Sequence, residues 1–397
     1  MTTPQRLVIL GTNLTALALA RSASRRGIES CVVDVAVGPA SKSRLATCFV
    51  DGSRSRASLL QQVCRLGAER ASWLVSTADA WSFEIIAKRQ ELESAFARIL
   101  QPSNEALAIC LSKTEFAAWC AVQKIPAPRQ YRFDPASFEI ADDIVFPLFV
   151  RPAVTQHARR HPGIAKATEI HTPRDLRACL QAFEDAKLVP AISESLLGRN
   201  LVQVSVGAAM TEGRSMTLVA RKVRPLAKAC RVGSLVETTT DADAEALALT
   251  ALHRLGYEGI AEVEILKDAD TGRMYVIEIN ARPWIQFGLA EAAGRDLLGF
   301  LLAGGRVDVP AAQKSRVWLD FSGDLWNCFN RCDGLVRRRS VSFPAYLRSL
   351  LRARVYARWS ARDPLPFVTD AMASAGSTWR SLRQRRAETT RNVRISS

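Results

Sequence analysis

The fold is decided by the stretch Gly259-Ile-Ala-Glu-Val-Glu-Ile-Leu-Lys-Asp-Ala-Asp-Thr-Gly-Arg-Met-Tyr-Val-Ile-Glu-Ile-Asn-Ala-Arg-Pro283. Its pattern predicts two antiparallel strands, at 259–267 and 274–280, joined by a turn rich in Asp and Gly. Alternate side chains of a strand share a face. The stretch therefore predicts a hairpin with one polar and one apolar face.

The polar face of this hairpin carries a set of side chains that suits a metal ion. Glu262 and Glu264 share a face of the first strand, and Glu278, Asn280 and Arg282 share a face of the second. The opposite face of the second strand is expected to hold Ile277, Ile279 and Ala281. A hairpin can set Glu264 opposite Glu278, which gives hard oxygen ligands of the kind that Mg²⁺ prefers. The alternative is an amphipathic hairpin whose outer face is merely polar.

Composition indicates a folded protein of two or three domains. The chain has 397 residues, of which 48% are hydrophobic, enough to build real cores. Its apolar runs are strand-sized, well short of the roughly 20 residues that cross a bilayer, and its N-terminus lacks a signal-peptide pattern. Nine cysteines without a Cys-x-x-Cys pair favour reduced thiols over disulfides or zinc. We therefore expect a cytoplasmic protein.

Positive charge is concentrated at the C-terminus. The formal net charge is +15, and residues 331–397 contain fifteen arginines against four acidic residues. Such a tail is expected to contact a phosphate-rich partner or an anionic membrane surface, which would hold the protein at the membrane periphery. A solvated helical face is the alternative.

The first hundred residues alternate strand and helix patterns, which predicts a doubly wound parallel α/β domain. Gly11-Thr-Asn13-Leu-Thr-Ala16 stands where a dinucleotide fingerprint would stand, but it has glycine only at the first of the three required places. A small anion could bind at this helix N-terminus. A structural strand-to-helix turn is the alternative, and it fits the missing glycines better.

The pattern Glu264 … Ile-Glu278-Ile-Asn280-Ala-Arg282 resembles the metal-binding signature of the ATP-grasp superfamily, to which biotin carboxylase, D-alanine–D-alanine ligase and D-aspartate ligase belong. The resemblance covers about residues 1–305 and implies an α/β fold of the ATP-grasp type. The implied domains are an N-terminal parallel α/β domain (1–104), a two-lobed ATP-grasp domain (105–310, with lobes 105–190 and 191–310) and a basic, mostly helical C-terminal extension (311–397).

The resemblance also assigns residues to ATP. Glu264, Glu278 and Asn280 would hold Mg²⁺, two ions being expected and Mn²⁺ being an alternative metal. The nucleotide contacts would be Lys113, Arg151, Lys166, Glu194, Ser195, Leu196, Asn200 and Lys222.

Two of these residues and one neighbouring loop depart from the superfamily pattern. Arg151 replaces a lysine, which keeps the charge but changes the geometry. Asn200 stands near the position of the acid that contacts ribose, so its contact is open. The loop 153–165 is basic and has only Gly163 where relatives are glycine-rich. Lys166 after it is either a second phosphate contact or an exposed loop lysine.

The implied reaction is the ATP-dependent joining of a carboxylate to an amine. The γ-phosphoryl group would pass to the substrate carboxylate, and the acyl phosphate would accept the amine, with ADP and phosphate released. Arg282 and Arg224 are the expected catalytic side chains. Arg282 would stabilise the acyl phosphate oxygens, and Arg224 lies on a strand that faces the phosphates in relatives. A basic surface strand is the alternative for Arg224.

The continuation Pro283-Trp284-Ile-Gln286-Phe-Gly288 looks closest to the branch that contains D-aspartate ligase and other carboxylate–amine ligases. It implies small-molecule acid and amine substrates, such as amino acids or precursors that carry one, and it is compatible with a homodimer. One rival is a nucleotide-binding regulator or scaffold that has lost catalysis and acts through its basic tail. A second rival activates bicarbonate, but nothing in the sequence resembles a biotin-carrier domain.

Overall fold

The computed structural model describes residues 4–134, 139–140, 143–159, 161–225, 233–330 and 334–373. Arg160 of the basic loop and the arginine-rich residues 374–397 lie outside the described residues. Every cysteine in the described ranges is a free thiol. No helix in these ranges combines the length and the apolar character needed to cross a membrane.

The N-terminal domain is built on a five-stranded parallel sheet in the order β3-β2-β1-β4-β5. Its strands are β1 (Arg6–Leu10), β2 (Glu29–Asp34), β3 (Thr47–Val50), β4 (Ser72–Ser76) and β5 (Arg98–Ile99). Its helices are α1 (Leu14–Ser24), α2 (Arg56–Ala68), α3 (Asp79–Ala87) and α4 (Arg89–Ala95), with a 3-10 turn at Pro39–Lys42. Strands β1 and β4 are buried throughout, as is typical of a parallel sheet covered by helices. The predicted parallel α/β domain is confirmed.

A small antiparallel lobe follows, with four strands in the order β10-β9-β11-β6. Its elements are α5 (Asn104–Leu111), α6 (Lys113–Val122), β6 (Gln130–Tyr131), β7 (Phe133–Asp134), β8 (Glu139–Ile140), β9 (Leu148–Pro152), α7 (Thr155–Ala158), β10 (Thr168–Ile170), α8 (Pro173–Asp185) and β11 (Pro190–Glu194). Helix α8 packs Leu176, Leu180 and Phe183 on the sheet, because residues three and four apart share a helix face.

The large lobe is a seven-stranded sheet in the order β16-β15-β12-β13-β14-β17-β18. Its elements are β12 (Leu201–Thr211), β13 (Arg214–Pro225), β14 (Gly233–Thr238), α9 (Ala242–Arg254), β15 (Gly259–Asp268), β16 (Met274–Asn280), α10 (Phe287–Ala292), α11 (Leu297–Leu302), β17 (Val317–Leu319), α12 (Phe321–Phe329), α13 (Phe343–Arg352) and β18 (Val355–Tyr356). Strands β17 and β18 come from the C-terminal extension, so its described part completes the sheet of the preceding lobe. The expected domain boundaries stay a prediction.

The hairpin β15–β16 sets Glu264 opposite Glu278, as the sequence predicts, and it also sets Glu262 opposite Asn280. The predicted placement of Ile277 on the apolar face is wrong. Beyond Glu264 the register shifts, so that Ile265 pairs with Val276 and one extra residue, Ile277, stands in β16. A bulge of this kind reverses the alternation on one side of it, and the core is filled by Val276 and Ile279 rather than by Ile277.

Candidate active site

A cleft of about 980 Å³ lies where the N-terminal domain and the two lobes meet. Eight of the predicted site residues line it: Lys113, Arg151, Lys166, Lys222, Glu264, Glu278, Asn280 and Arg282. They come from α6, β9, the loop after α7, β13, β15, β16 and the residues just after β16. The fold therefore gathers residues that are up to 169 positions apart (113 to 282) around one space.

The carboxylates of the hairpin are joined by an amide. Asn280 donates from Nδ2 to Glu262 Oε2 at 3.0 Å and to Glu278 Oε1 at 3.3 Å. Glu264 accepts from Gln203 Nε2 on β12 at 2.6 Å. The sequence placed Glu262 on the correct face but did not include it in the metal set, and it gave no role to Gln203. The signal for Gln203 would have been a polar residue on a strand neighbouring β15.

Lys222 lies against the same cluster. Its Nζ is 2.9 Å from Glu264 Oε1, and only 4% of its side chain is exposed. Burial works to lower the pKa of Lys222, but Glu264, Glu262 and Glu278 together outweigh it and raise that pKa. Lys222 is thus a fixed cation beside the carboxylates.

Burial raises the pKa of both facing glutamates. For Glu264, the neighbouring Glu262 raises the pKa further, while Lys222 lowers it. For Glu278, the charge of Glu264 adds to the effect of burial. Two like charges that share a low-dielectric site disfavour each other, so a cation between these side chains would stabilise both.

Arg282 is held by a residue of the N-terminal domain. Its Nε donates to Asp79 Oδ1 at 2.6 Å, and its Nη2 donates to Asn280 Oδ1 at 3.2 Å. Burial opposes the charged form of Asp79, but Arg282 lowers the pKa of Asp79 below its ordinary value. Sequence reasoning missed Asp79. The available signal was its position just after β4, because the carboxyl ends of parallel strands are where ligand-binding groups collect.

Two cations of the small lobe face the cleft from another side. Ser112 caps α6 by accepting from Glu115 N at 3.3 Å, and Lys113, the first residue of α6, donates to Thr155 Oγ1 at 3.1 Å. Burial lowers the pKa of Lys113, although Glu278 acts in the opposite direction. On β9, Nε of Arg151 is buried and has no hydrogen-bond partner in the described part of the chain.

Lys166 is exposed at the rim of the cleft. Its position suits a contact with a phosphate that enters from solvent, but an exposed loop lysine would occupy the same place. Its role stays a prediction.

The segment 194–200, which is expected to contact adenine and ribose, lies beside the cleft. Glu194 accepts from Arg129 N at 2.8 Å, Ser195 Oγ donates to Glu169 at 2.8 Å, and Leu196 is buried. Asn200 donates to Asp270 Oδ1 at 3.0 Å on the hairpin turn. None of these four predicted residues is in the lining of the cleft, whereas Leu197 is. Their roles toward a nucleotide stay predictions.

The structure does not bring Arg224 to the cleft, contrary to expectation. The guanidinium forms two hydrogen bonds to Asp324, from Nε at 2.9 Å and from Nη2 at 2.7 Å, and a third to Ser349 Oγ at 2.7 Å. The physical reason is a register shift between Lys222 and Arg224 where β13 pairs with β14. The shift ends the alternation that would have put both side chains on one face.

The residues of the cleft suit Mg²⁺ carried by a polyphosphate. Among the described residues, no group of three or more His, Cys, Asp or Glu side chains is arranged to hold a metal ion by itself. Mg²⁺ in nucleotide sites usually takes one or two carboxylates and completes its shell with phosphate oxygens and water. Glu264 and Glu278 would supply the carboxylates, and Arg151 would supply a buried donor that has no hydrogen-bond partner among the described residues.

No protein-family model matches the chain, and no curated protein matches its sequence. Solved structures do match it. N5-carboxyaminoimidazole synthetase from Staphylococcus aureus has a TM-score of 0.62 at 13% identity, over 80% of this chain and 82% of that one.

Two further structures are similar to a comparable degree. The biotin carboxylase domain dimer of Hydrogenobacter thermophilus 2-oxoglutarate carboxylase, in complex with MgADP, ADP and bicarbonate, has a TM-score of 0.63 at 12% identity, over 80% of this chain and 74% of that one. The Aspergillus clavatus N5-carboxyaminoimidazole synthase, with ADP and 5-aminoimidazole ribonucleotide, has a TM-score of 0.60 at 17% identity, over 80% and 82%. The chain therefore has the α/β fold of ATP-grasp enzymes.

Proposed function

We propose that this protein is an ATP-dependent carboxylate–amine ligase. One observation carries the proposal: the facing pair Glu264 and Glu278 lies in the same cleft as cations from three separate elements. Carboxylates and several cations in one cleft suit a magnesium–triphosphate complex, because the metal neutralises one part of the phosphate charge and the cationic side chains neutralise the rest.

The cations have separate proposed roles. Lys113 and Arg151, on α6 and β9, would bind the phosphates, and Lys166 would add a contact at the rim. Lys222 would remain beside Glu264 and would stabilise the negative charge that develops as the γ-phosphoryl group is transferred. Mg²⁺, or Mn²⁺ in its place, would be held by Glu264, Glu278 and Asn280, and two ions would neutralise the terminal phosphates.

The proposed reaction has two steps. A carboxylate oxygen of the acid attacks the γ-phosphorus, the bond from that phosphorus to the bridging oxygen breaks, and ADP leaves. The amine nitrogen then attacks the acyl carbon, phosphate leaves, and a proton is lost from nitrogen as the amide forms. Arg282, oriented by Asp79, would stabilise the oxygens of the acyl phosphate and of the tetrahedral intermediate that follows.

The substrates we propose are an amino acid, or a precursor that carries one, and a second amine. This assignment rests on the D-aspartate ligase-like sequence around Trp284 and Gln286. Trp284 and Ile285 line the cleft next to Arg282. We expect them to contact the substrate side chain and so to select the substrate. A homodimer remains part of the proposal, as one neighbour's biotin carboxylase domain is a dimer.

A screen of amino acid pairs for release of phosphate and ADP tests this function. The proposal predicts release that requires both an acid and an amine, and an amide product of the matching mass. ATP hydrolysis that depends on bicarbonate and on no amino acid would favour the carboxylase rival. Nucleotide binding without turnover of any pair would favour the regulator that acts through its basic tail.

A further inference from the structure

Two helices of the C-terminal extension leave bulky apolar side chains in solvent. On α12, Phe321, Leu325 and Phe329 follow one another at intervals of four, as do Phe343, Leu347 and Leu351 on α13, so each set lies along one helix face. With Trp326 these residues form what we call the α12–α13 face. Their exposed fractions run from 40% at Phe321 to 75% at Leu351, with 62% at Trp326.

The two sets form one surface. The ring of Phe329 on α12 lies edge-on to that of Phe343 on α13, with centroids 6.3 Å apart, and it also contacts the buried ring of Tyr346 at 5.0 Å. Monomeric proteins seldom expose large contiguous apolar patches, and such patches mark sites of interaction.

The α12–α13 face is flanked by positive charge. Arg337, Arg338 and Arg339 are exposed in the segment between the two helices, and Arg348 is exposed on α13. The acids in the described part of 321–373 are already paired with other arginines: Asp324 with Arg224, Asp363 with Arg21 and Asp370 with Arg358. These acids therefore do not offset the four exposed arginines.

We propose that the α12–α13 face binds the surface of a membrane that contains anionic phospholipid. Apolar residues that include Trp and Phe would enter the acyl boundary, while the arginines contact headgroup phosphates. A second copy of the chain is a poorer occupant, because a two-fold contact would bring together two faces that are both flanked by positive charge. This proposal is independent of the ligase reaction.

Co-sedimentation of the full chain with vesicles tests the proposal. We expect binding to vesicles of phosphatidylcholine mixed with phosphatidylglycerol, little binding to phosphatidylcholine alone, and weaker binding as salt is raised. Replacing Arg337, Arg338 and Arg339 by Gln should weaken partitioning about 100-fold, since each arginine near an anionic surface contributes roughly a factor of five. The triple change Trp326→Gln, Leu347→Gln and Leu351→Gln should weaken it at least as much.

Matched controls lie elsewhere on the surface. The triple change of Val122, Val145 and Val189 to Gln alters exposed apolar residues outside the face, and the triple change of Arg65, Arg174 and Arg177 to Gln removes exposed arginines. Both controls should bind vesicles as the parent chain does. Circular dichroism would verify the fold, and the arginine variant carries the test if the apolar variant unfolds.

Three results would overturn the proposal. The first is equal partitioning to both kinds of vesicle, and the second is the absence of binding to either. The third is a dimer, measured by light scattering, that the apolar variant converts to monomer, since the occupant would then be a second copy.

Discussion

At the scale of single residues, charged side chains of the cleft are held in place by other charged side chains. Arg282 is available to a reacting group in a defined orientation because Asp79 and Asn280 accept two of its hydrogen bonds. Asp79 belongs to the N-terminal domain and Arg282 follows β16, so their contact joins two parts of the cleft that are 203 positions apart in sequence.

Asp79→Asn should lower kcat by roughly 10- to 100-fold, because a small displacement of a positioned group can cost about that much. Nucleotide affinity should change little, since Asp79 acts through Arg282. Steady-state kinetics with the active substrate pair would measure both. The exposed Asp51→Asn serves as the control, and a loss of nucleotide affinity without a change in kcat would argue against a positioning role.

Glu278→Gln should raise the thermal stability of the metal-free protein at neutral pH. Burial and Glu264 raise the pKa of Glu278 in the folded state, so folding favours the protonated form, and stability is lost as pH rises through that folded pKa. The glutamine removes this charge. Its advantage in Tm should therefore shrink as pH falls below the raised pKa, where Glu278 is already protonated.

Differential scanning calorimetry without metal, between pH 4 and pH 8, would measure this Tm difference, each kcal/mol being worth ~2–4 °C. If the Tm advantage of Glu278→Gln grew toward low pH, that result would contradict the raised pKa of Glu278. Gln203→Glu is a useful companion, because an added acid beside Glu264 should have the opposite effect at neutral pH.

At the scale of elements, the close approach of β12 to the segment after β16 fixes the floor of the cleft. A Cβ built on Gly207 would lie 1.9 Å from the indole ring of Trp284. No side chain fits there, so Gly207 leaves room for the indole of Trp284, which lines the cleft together with Glu264, Glu278 and Asn280.

Gly207→Ala should cost ~1–3 kcal/mol of unfolding free energy through overpacking, and it should displace Trp284 from the cleft. Urea unfolding measures the cost. Gly163→Ala is the matched control, because nothing lies within 4 Å of its Cβ position. A double variant with Trp284→Leu should recover part of the loss, and no recovery would show that the strain lies elsewhere.

The sequence correctly predicted the faces of those residues that lie in regular stretches of strand. Alternation along β15 and β16 placed Glu264, Glu278 and Asn280 correctly because their register is undisturbed there. It failed for Ile277 and for Arg224, each of which lies at a register shift. Bulges depend on tertiary packing, so periodicity cannot reveal them.

The contact between Asp79 and Arg282 was out of reach for a different reason. The position of Asp79 just after β4 was a signal for a ligand-binding group, but its partner could not be predicted, because the two residues meet only where the N-terminal domain packs on the large lobe. The nucleotide roles expected of Glu194 to Asn200 rest on the resemblance, and the hydrogen bonds of that segment neither require nor oppose them.

At the scale of the whole molecule, the C-terminal extension is fastened to the large lobe through a buried ion pair. Side chains of Arg224 and Asp324 are 5% and 0% exposed, and Ser234 Oγ also donates to Asp324 Oδ1 at 2.6 Å. This pairing favours a structural role for Arg224, whereas the catalytic role that its sequence position suggested stays an untested prediction.

Arg224→Met should destabilise the fold by ~3–5 kcal/mol, because it leaves the carboxylate of Asp324 buried and unpaired. The double variant Arg224→Met with Asp324→Leu should regain much of that loss and should turn over substrate at close to the parental kcat. Chemical unfolding and kinetics would measure the two effects, with Arg65→Met as an exposed control. If the double variant is stable but its kcat is lowered more than 100-fold, Arg224 has a role in the reaction.

If Glu264 and Glu278 gather Mg²⁺ for a nucleotide, the metal must strengthen nucleotide binding, and calorimetric titration of ADP and ATP with and without Mg²⁺ measures this effect. We expect Mg²⁺ to tighten binding at least tenfold in the parent chain and Glu278→Gln to remove most of this gain, while the exposed control Glu115→Gln keeps it. Equal affinity with and without the metal, or an undiminished gain in Glu278→Gln, would contradict this role of the two glutamates.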